Sequence, residues 1–515
     1  MSENVIEMKG VHKSFGASAA LSNVNLILRD KEILGLLGGN GAGKTTLMNI
    51  LFGLYKKDRG EVLLNGKSIE IQGPRDAINY HIGMVHQHFL QVPNFTVIEN
   101  IVLGTQVEKK YSFNLETERK KIADLAQRFL MEVDLDARIE NLSMGIRQKV
   151  EILKAIYRGV EVLILDEPTT NLTPQQVDEL FEILKIMVEE GLSIIFITHK
   201  LREVLSVCDR ITVLRNGENV LTLNREEASE EAFVRAMVGD ELNIEDSIIF
   251  AEGKLPDDLS EVGKNPVLEI ENASLISDED IEVLHNINLV VFENEIHGIA
   301  GVAANGQQEL CEIIMGIQDI TKGHVTFNNR DITKTPTNEL LNMDIVYIPE
   351  DRLYDGFLPK ASVAHNLILG FHDNTPYSKN NIMNWKRIFK ESVNLINKFN
   401  IKTLGPQDIG ANLSGGNIQR VLIARAFSEK FKLLIAHNPT HGLDIPSTNF
   451  VYDNLLERKS EGASTLLISG DLDELLLLCD RISVIYKGGI VGTLERNEFE
   501  KYEIGRMMSG VRTAV

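Results

Sequence analysis

The chain has 515 residues, 43% hydrophobic and 25% charged, with 53 Lys+Arg against 74 Asp+Glu and a formal net charge of -21. That length accommodates more than two average domains and the composition is that of an ordinary soluble globular protein, while the acidic balance opposes a role in wrapping nucleic acid, which needs cations against phosphates. No apolar run approaches the roughly 18 residues of a membrane-spanning helix, and the opening MSENVIEMKG lacks the basic-then-apolar pattern of a signal peptide, so the expectation is a chain that stays in the cytoplasm and does not itself cross a bilayer.

In chain order, the apolar run 33–37 reads as a buried parallel strand. It leads into Gly38, Gly39, Asn40, Gly41, Ala42, Gly43, Lys44 and Thr45, which match the phosphate-loop pattern G-x-x-x-x-G-K-[ST], and then into a helical run that begins at Thr46. In that order, strand, glycine-rich turn and helix let backbone N–H groups close around phosphate oxygens at a helix N-terminus, with Lys44 on the outer phosphates and the Thr45 hydroxyl on Mg2+. Gln87 follows another apolar run, and Ile122, Leu125, Phe129, Leu130 and Val133 keep a helical period. The runs 162–165 and 194–197 read as two further buried strands, the first ending in Asp166 and Glu167, the second in Thr198 and His199. Parallel strands bring their carboxyl ends to one edge, where these side chains can converge. There Asp166, with Thr45 and Gln87, suits a hold on Mg2+. Glu167 suits a general base that polarises the attacking water, with Gln87 and His199 beside it.

From about residue 240 to 265 the chain is polar and mostly acidic, which reads as a linker between domains at 1–240 and 266–515. The second of these repeats the first: LSNVNL at 21–26 returns as LHNINL at 284–289 and Gly38 as Gly301, both 263 positions on, while Cys208 to Ile211 return as Cys479 to Ile482, 271 positions on. The second copy therefore carries eight extra residues, placed between Glu350 and Leu413, where the span is 63 against 55 from Gln87 to Leu142. Phe389, Val393 and Ile396 carry the helical period there. Each half reads as an α/β domain with a helical insert. Cys208, Cys311 and Cys479 are scattered singly, and the matched pair reads as small buried apolar residues rather than a disulfide or metal framework. Position by position, the second copy lacks the chemistry of the first. Lys44 is answered by Gln307, Thr45 by Gln308, Gln87 by Glu350, Asp166 by His437, Glu167 by Asn438 and His199 by Gly470.

Leu142, Ser143, Met144, Gly145 and Ile146 return in the second copy as Leu413, Ser414, Gly415, Gly416 and Asn417, with each serine 23 residues before position 166 or its counterpart 437. With LSGGN in place, the chain resembles the ATP-binding cassette (ABC) family over nearly all of both halves. The resemblance implies an α/β fold of two tandem ABC-type P-loop ATPase domains, each a mostly parallel sheet core with antiparallel β and helical subdomains. It implies ATP and Mg2+ as cofactors and Phe15 as the aromatic that stacks on adenine, a role its counterpart Asp278 cannot fill. It implies that Ser414, Gly415, Gly416 and Asn417 form a signature that binds the γ-phosphate held by the opposite domain. Head-to-tail association then joins the complete loop at 38–45 to the complete signature at 413–417, and the degenerate loop at 301–308 to the altered signature at 142–146. One chain supplies the full ATPase pair, in one or two copies per transporter.

Tandem halves with a Gly-Gln-Gln second loop, and Ile348 to Arg352 (IPEDR), resemble the ATP subunits of bacterial monosaccharide importers. Residues 83–97 and 436–444 are most similar to those of nucleoside importers that work with a membrane-anchored lipoprotein. Gly39 departs from the usual Glu, and 144–146 differ from that group's signature. The resemblance implies two integral-membrane permease subunits as partners, an external substrate-binding lipoprotein indirectly, no nucleic acid, and a peripheral position on the cytoplasmic face of the membrane. An importer for riboflavin, a pentose or a hexose would have a similar subunit. Tandem cassettes also occur in translation factors that act on the ribosome, but those keep both ATP sites and carry basic segments. A nucleotide-sensing subunit without turnover is the third reading.

Overall fold

The computed structural model describes residues 4–16, 18–87, 89–104, 114–170, 172–227, 229–239, 261–277, 280–380 and 382–510. The chain divides into two compact units, Met1–Ile244 and Glu245–Val515. The expected linker at 241–265 falls mostly outside the described residues. Its end is docked on the second unit, where the Gly263 N–H donates to the Glu293 carbonyl at 2.7 Å.

The first unit has strands β1 (Asn4–Phe15), β2 (Ser18–Arg29), β3 (Ile33–Leu37), β4 (Arg59–Leu64), β5 (Lys67–Ile69), β6 (Ile82–Val85), β7 (Val162–Asp166), β8 (Ser193–Thr198), β9 (Arg210–Arg215) and β10 (Glu218–Asn224). They form an antiparallel sheet in the order β2-β1-β4-β5 and a second sheet in the order β10-β9-β3-β8-β7-β6, parallel except for β10. Every residue of β3, β7 and β8 is buried, as continuous apolar runs must be in a sheet covered on both faces. The helix Lys44–Leu51 lies between the two sheets, with Leu47, Met48, Ile50 and Leu51 in one buried cluster with Met8, Leu28, Ile164 and Ile195. Burial of that face anchors the glycine-rich turn that opens the helix.

The second unit repeats the order with β11 (Pro266–Ile276), β12 (Glu282–Phe292), β13 (Ile296–Ala300), β14 (Lys322–Phe327), β15 (Arg330–Asp331), β16 (Ile345–Ile348), a hairpin of β17 (Ser378–Lys379) and β18 (Ile382–Met383), β19 (Leu433–His437), β20 (Ser464–Ser469), β21 (Arg481–Tyr486) and β22 (Gly489–Glu495). Its sheets run β12-β11-β14-β15 and β22-β21-β13-β20-β19-β16. Cys208, Cys311 and Cys479 are free and buried in these cores, and burial pushes each thiol's pKa up.

Each six-stranded sheet carries a helical insert. Helices Val97–Val102, Leu115–Arg128 and Met144–Tyr157 stand between β6 and β7, and Val363–Leu367, Trp385–Lys398 and Gly415–Ala426 between β16 and β19. The structure distributes the eight extra residues of the second insert. The Asn100 amide bonds the backbone of Val92 and Thr96 just as the Asn366 amide bonds Leu358 and Ser362, and these pairs lie 266 apart. The long helices start 270 apart, and the turns Ile139–Asn141 and Gly410–Asn412 lie 271 apart. Three extra residues thus precede Leu358, in a segment that coils as one π-helical turn, Arg352–Gly356.

Two helical expectations are corrected. The first long helix stops at Arg128, so Leu130 and Val133 lie beyond it. Leu130 turns to φ 53 at 67% exposure, and its N–H and that of Met131 bond the carbonyls of Gln127 and Ala126, a Schellman ending. In the second insert the buried residues of the helix are Ile388 and Ser392, and Val393 is 44% exposed. The counterpart of Leu130 is Asn400, at φ 47 in the same ending. Asparagine adopts the left-handed region at less cost than leucine. Leu130→Asn is therefore expected to stabilise the first unit by about 1 kcal/mol, and Asn400→Leu to destabilise the second by a similar amount, read as shifts in urea midpoints.

Candidate functional site

The helix Lys44–Leu51 has no side-chain N-cap; its N-cap residue Gly43 sits at φ 101 and Gly41 at φ 77, conformations that glycine supplies. A Cβ on Gly43 would stand 2.7 Å from the Leu21 side chain, and one on Gly38 2.4 Å from the Leu214 carbonyl. Lys44 is only 5% exposed and turns its Nζ back to donate to the Gly38 and Gly39 carbonyls at 2.7 and 3.0 Å. Burial draws its pKa down, opposed by the charges of Glu167 and Asp166. A desolvated ammonium beside first-turn N–H groups, which have no acceptors within their own helix, fits a polyphosphate.

Asp166 ends β7. Burial foremost, and then the charge of Glu167, raise its pKa to about 6 against the Thr45 hydroxyl and Lys44, which lower it. A buried carboxylate hydrogen-bonded to Thr45 and short of positive charge fits a small divalent cation, which would restore its ionised form. Glu167 follows at φ 47, with its N–H donating to the Ile197 carbonyl at 2.9 Å. That turn brings its carboxylate to Gln87 Nε2 at 3.3 Å and His199 Nδ1 at 3.0 Å. Side chains that follow β6, β7 and β8 thus meet as one group. Gln87, expected on Mg2+ as well, bonds Glu167. Asn40 and Ala42 lie in the loop, and Thr46 is half-buried in the helix's first turn. Phe15 is 46% exposed, with the Tyr55 ring 5.3 Å away edge-on and Lys13 Nζ 5.4 Å from its centroid.

In the second unit the same backbone carries a different network. Gln307 is buried at the place of Lys44, and its Nε2 bonds the Val302 carbonyl at 2.9 Å, as Lys44 bonds Gly39. Its Oε1 accepts from the Asn305 N–H at 2.9 Å, so a loop amide is consumed by the loop's own side chain. Gln308 is drawn to Glu312 at 2.8 Å. Asn438 sits at φ 47, like Glu167, but its Nδ2 holds Glu350 at 2.7 Å and its Oδ1 accepts from Gly470 N at 3.0 Å. His437, at the place of Asp166, is buried with Nε2 3.5 Å from Glu350, and burial draws its pKa down. The His437 Nδ1 is buried without a hydrogen-bond partner, and together these residues present neither a cation nor a free carboxylate at the phosphate loop. Asp278 lies outside the described residues.

The two signature turns also differ. Ser143 and Ser414 are N-caps of their helices, and neither caps with its side chain. A Cβ on Gly415 or Gly416 would meet no described atom within 4 Å, whereas one on Gly145 would lie 2.6 Å from the Gln176 amide. The Ser414 hydroxyl is held by Asn417 Nδ2 at 2.8 Å, and the Asn417 Oδ1 accepts from Lys402 N at 2.8 Å.

Gln176 was not legible as part of any site. Neither was the buried Glu203, which accepts from the Thr169 and Thr198 hydroxyls at 2.6 and 2.9 Å. Glu474 takes the same place opposite Thr440 at 2.7 Å, and burial raises its pKa to about 7. The clamp is thus kept in both units. Its one signal in the sequence was the recurrence of Glu four residues after His199 and Gly470.

A carboxyl raised to about 6 from an ordinary 3.8 destabilises the fold once ionised, on the order of 3 kcal/mol. The folded first unit holds this proton more tightly than the unfolded chain, so the protonated state's stability is present at low pH and is lost as pH rises through about 6. Asp166→Asn fixes the neutral state. It is expected to match the parent near pH 4 and to exceed it by up to about 3 kcal/mol at pH 8, measured by denaturant unfolding without nucleotide. A gain that grows toward acid would contradict the assignment.

A model of the family described as ABC transporter matches residues 21–170 and 284–441, one match in each unit. The nucleoside import ATP-binding protein NupA of Lactococcus lactis subsp. cremoris (strain MG1363) is 40% identical over 508 residues, covering 99% of this chain and 98% of the relative. The guanosine import ATP-binding protein NupO of Bacillus subtilis (strain 168) is 37% identical over 508 residues, with 99% and 98% covered. The ribose import ATP-binding protein RbsA of Caldanaerobacter subterraneus subsp. tengcongensis is 34% identical over 504 residues, with 96% and 97% covered. With matches in both units and full-length relatives, the chain belongs to the ABC transporter family.

Proposed function

We propose that this chain is the ATP-hydrolysing, energy-coupling subunit of an importer whose cargo is a nucleoside. The observation that carries the catalytic part is the complementary asymmetry of the two units. The first has Lys44 in its phosphate loop, a paired Gln87–Glu167–His199 group, and a signature glycine covered by Gln176. The second has a self-closed loop and an uncovered signature at Gly415 and Gly416. One competent site then comprises the loop Gly38 to Thr45, with Thr46, and the signature Ser414 to Asn417. Lys44 and the first-turn amides hold the phosphates, and Phe15 offers its face to the base. Thr45, Asp166 and Gln87 would hold Mg2+, which supplies charge neutralisation at the phosphates. Glu167 accepts a proton from the attacking water, with His199 and Gln87 fixing its carboxylate. Nucleotide-driven closure and reopening of the halves would drive two permease subunits, with an external binding lipoprotein presenting the cargo. The chain would sit on the cytoplasmic face through those permeases; no described helix is long and apolar enough to cross a membrane.

Nucleoside cargo is supported by the relatives at 40% and 37% identity, which are named for nucleoside and guanosine import, and sugar cargo, the second reading, by the ribose import relative at 34%. Uptake of labelled guanosine against ribose by the assembled transporter separates them.

Glu167→Gln is expected to lower ATP turnover about a hundredfold or more while ATP still binds, and Asn438→Glu to change little, because Gln307 and Gln308 still close their loop. A severalfold gain from Asn438→Glu would show that the second site works. The pairing itself is tested by Ser414→Arg, expected to abolish nearly all turnover by blocking the signature amides, against Ser143→Arg, expected to cost less. A larger loss from Ser143→Arg would sink the composite site.

A further inference from the structure

The three residues by which the second unit exceeds the first ahead of Leu358 fall beside its uncovered signature, and they carry Arg352. Its Nη2 donates to the His441 carbonyl at 2.6 Å and its Nη1 to the Gly415 carbonyl at 3.3 Å. One guanidinium therefore links the first residue of helix Gly415–Ala426 to the loop that follows β19. The seat is built for it. Gly442 stands at φ 74, and a Cβ there would lie 2.7 Å from Arg352 Nη2. The turn that carries Arg352 is fixed at both ends. The Asp351 carboxylate accepts from the N–H groups of Leu353 and Tyr354 at 3.0 Å each, and the partly buried Arg425 donates to the Gly356 carbonyl at 2.8 Å. Burial draws the Arg352 pKa down, with the Asp351 charge opposing.

In the first unit the corresponding segment is strapped differently. Gln91 and Arg147 exchange bonds at 2.9 and 3.0 Å, at the fourth residue of the helix Met144–Tyr157. Among the described contacts no guanidinium reaches the carbonyl of Met144, the counterpart of Gly415; the Arg147 Nη1 lies 3.9 Å from the Met144 sulfur instead.

We propose that Arg352 is a positioning residue for the signature. It holds the first turn at Ser414 to Asn417 in register with the loop at 438–444 and sharpens its anion-binding amides. A charged donor on a peptide carbonyl polarises the same peptide's N–H, so the bond to the Gly415 oxygen strengthens the Gly416 N–H as a donor. The positive charge also adds to that of the helix N-terminus. Arg352 itself does not touch nucleotide in this scheme. The role rests on the composite site proposed above.

The test uses the full chain. Arg352→Ala is expected to leave the apparent KM for ATP within about twofold, since Lys44 and its loop are untouched, and to lower kcat about tenfold or more; Arg352→Lys is expected to recover to within about threefold of the parent. Hydrogen exchange without nucleotide, resolved by peptide, is expected to speed up at 413–419 and 440–444 in Arg352→Ala and to stay unchanged in β19 and β20. Ser414→Arg serves as the control. If Ser414→Arg is inactive while Arg352→Ala keeps kcat within about twofold, the positioning role is wrong. If Ser414→Arg is itself active, the composite site fails, and the exchange pattern alone decides on Arg352: local acceleration supports the clamp, and unchanged exchange overturns it. Faster exchange throughout the second unit would mark Arg352 as a general stability residue and equally overturn the proposal.

Discussion

The first-turn N–H groups of a helix have no acceptors inside the helix, and something must complete them. Four such turns differ between the two units. At Lys44 the loop is curved by the ammonium, which takes the carbonyls of Gly38 and Gly39 and leaves the amide edge for an anion. At Gln307 an amide with both a donor and an acceptor does two things at once: it takes the Val302 carbonyl and it supplies Asn305 with the acceptor a phosphate would otherwise be. At Gly145 a Cβ would lie 2.6 Å from the Gln176 amide, whereas at Gly415 and Gly416 one would meet no described atom within 4 Å.

The backbone turn that displays the Glu167 carboxylate recurs in the second unit. Glu167 and Asn438 adopt φ 47, and their N–H groups bond Ile197 and Ile468 at 2.9 and 2.8 Å. A left-handed non-glycine residue is destabilised by roughly 1 kcal/mol or more, so its retention where asparagine replaces glutamate shows that the turn is fixed by the strands on either side. What changes is the charge beneath it. Asp166 is a buried carboxyl pushed upward, His437 a buried imidazole pushed downward, and both shifts come from loss of water. In the first unit the strain and the desolvation suit a cation and a water; in the second, Asn438 and Glu350 bond to each other instead.

Much of this was legible because the repeat supplies its own comparison. Constant offsets across buried strands identified Gln307, His437, Asn438 and Gly470 as replacements before any geometry was known, and continuous apolar runs marked β3, β7 and β8 because both faces of those strands are covered. Periodicity overreached at Leu130, since apolar spacing reads straight through a helix ending that depends on one residue's φ. Gln176 and Glu203 were invisible for another reason. Gln176 packs against Gly145, 31 positions away, and Glu203 joins Thr198 to Thr169, 34 positions away, and a glutamine or glutamate at the start of a helix does not by itself show such distant partners.

The sheets also explain where the units were free to diverge. Between Gly38 and Gln87 and their counterparts the offset never leaves 263, and from the signature to Cys479 it never leaves 271. An added residue inside a strand buried on both faces would turn every following side chain to the wrong side, so length changes are tolerated only outside the strands. All eight extra residues accordingly lie in the helical insert, and the segment lengthened by three of them coils as the turn Arg352–Gly356, which places Arg352 against the Gly415 and His441 carbonyls. In an insert anchored by Asn366 on one side and by the signature helix on the other, a short added turn is held at both ends. It can therefore change the setting of the signature without disturbing the sheet that carries β19 and β20.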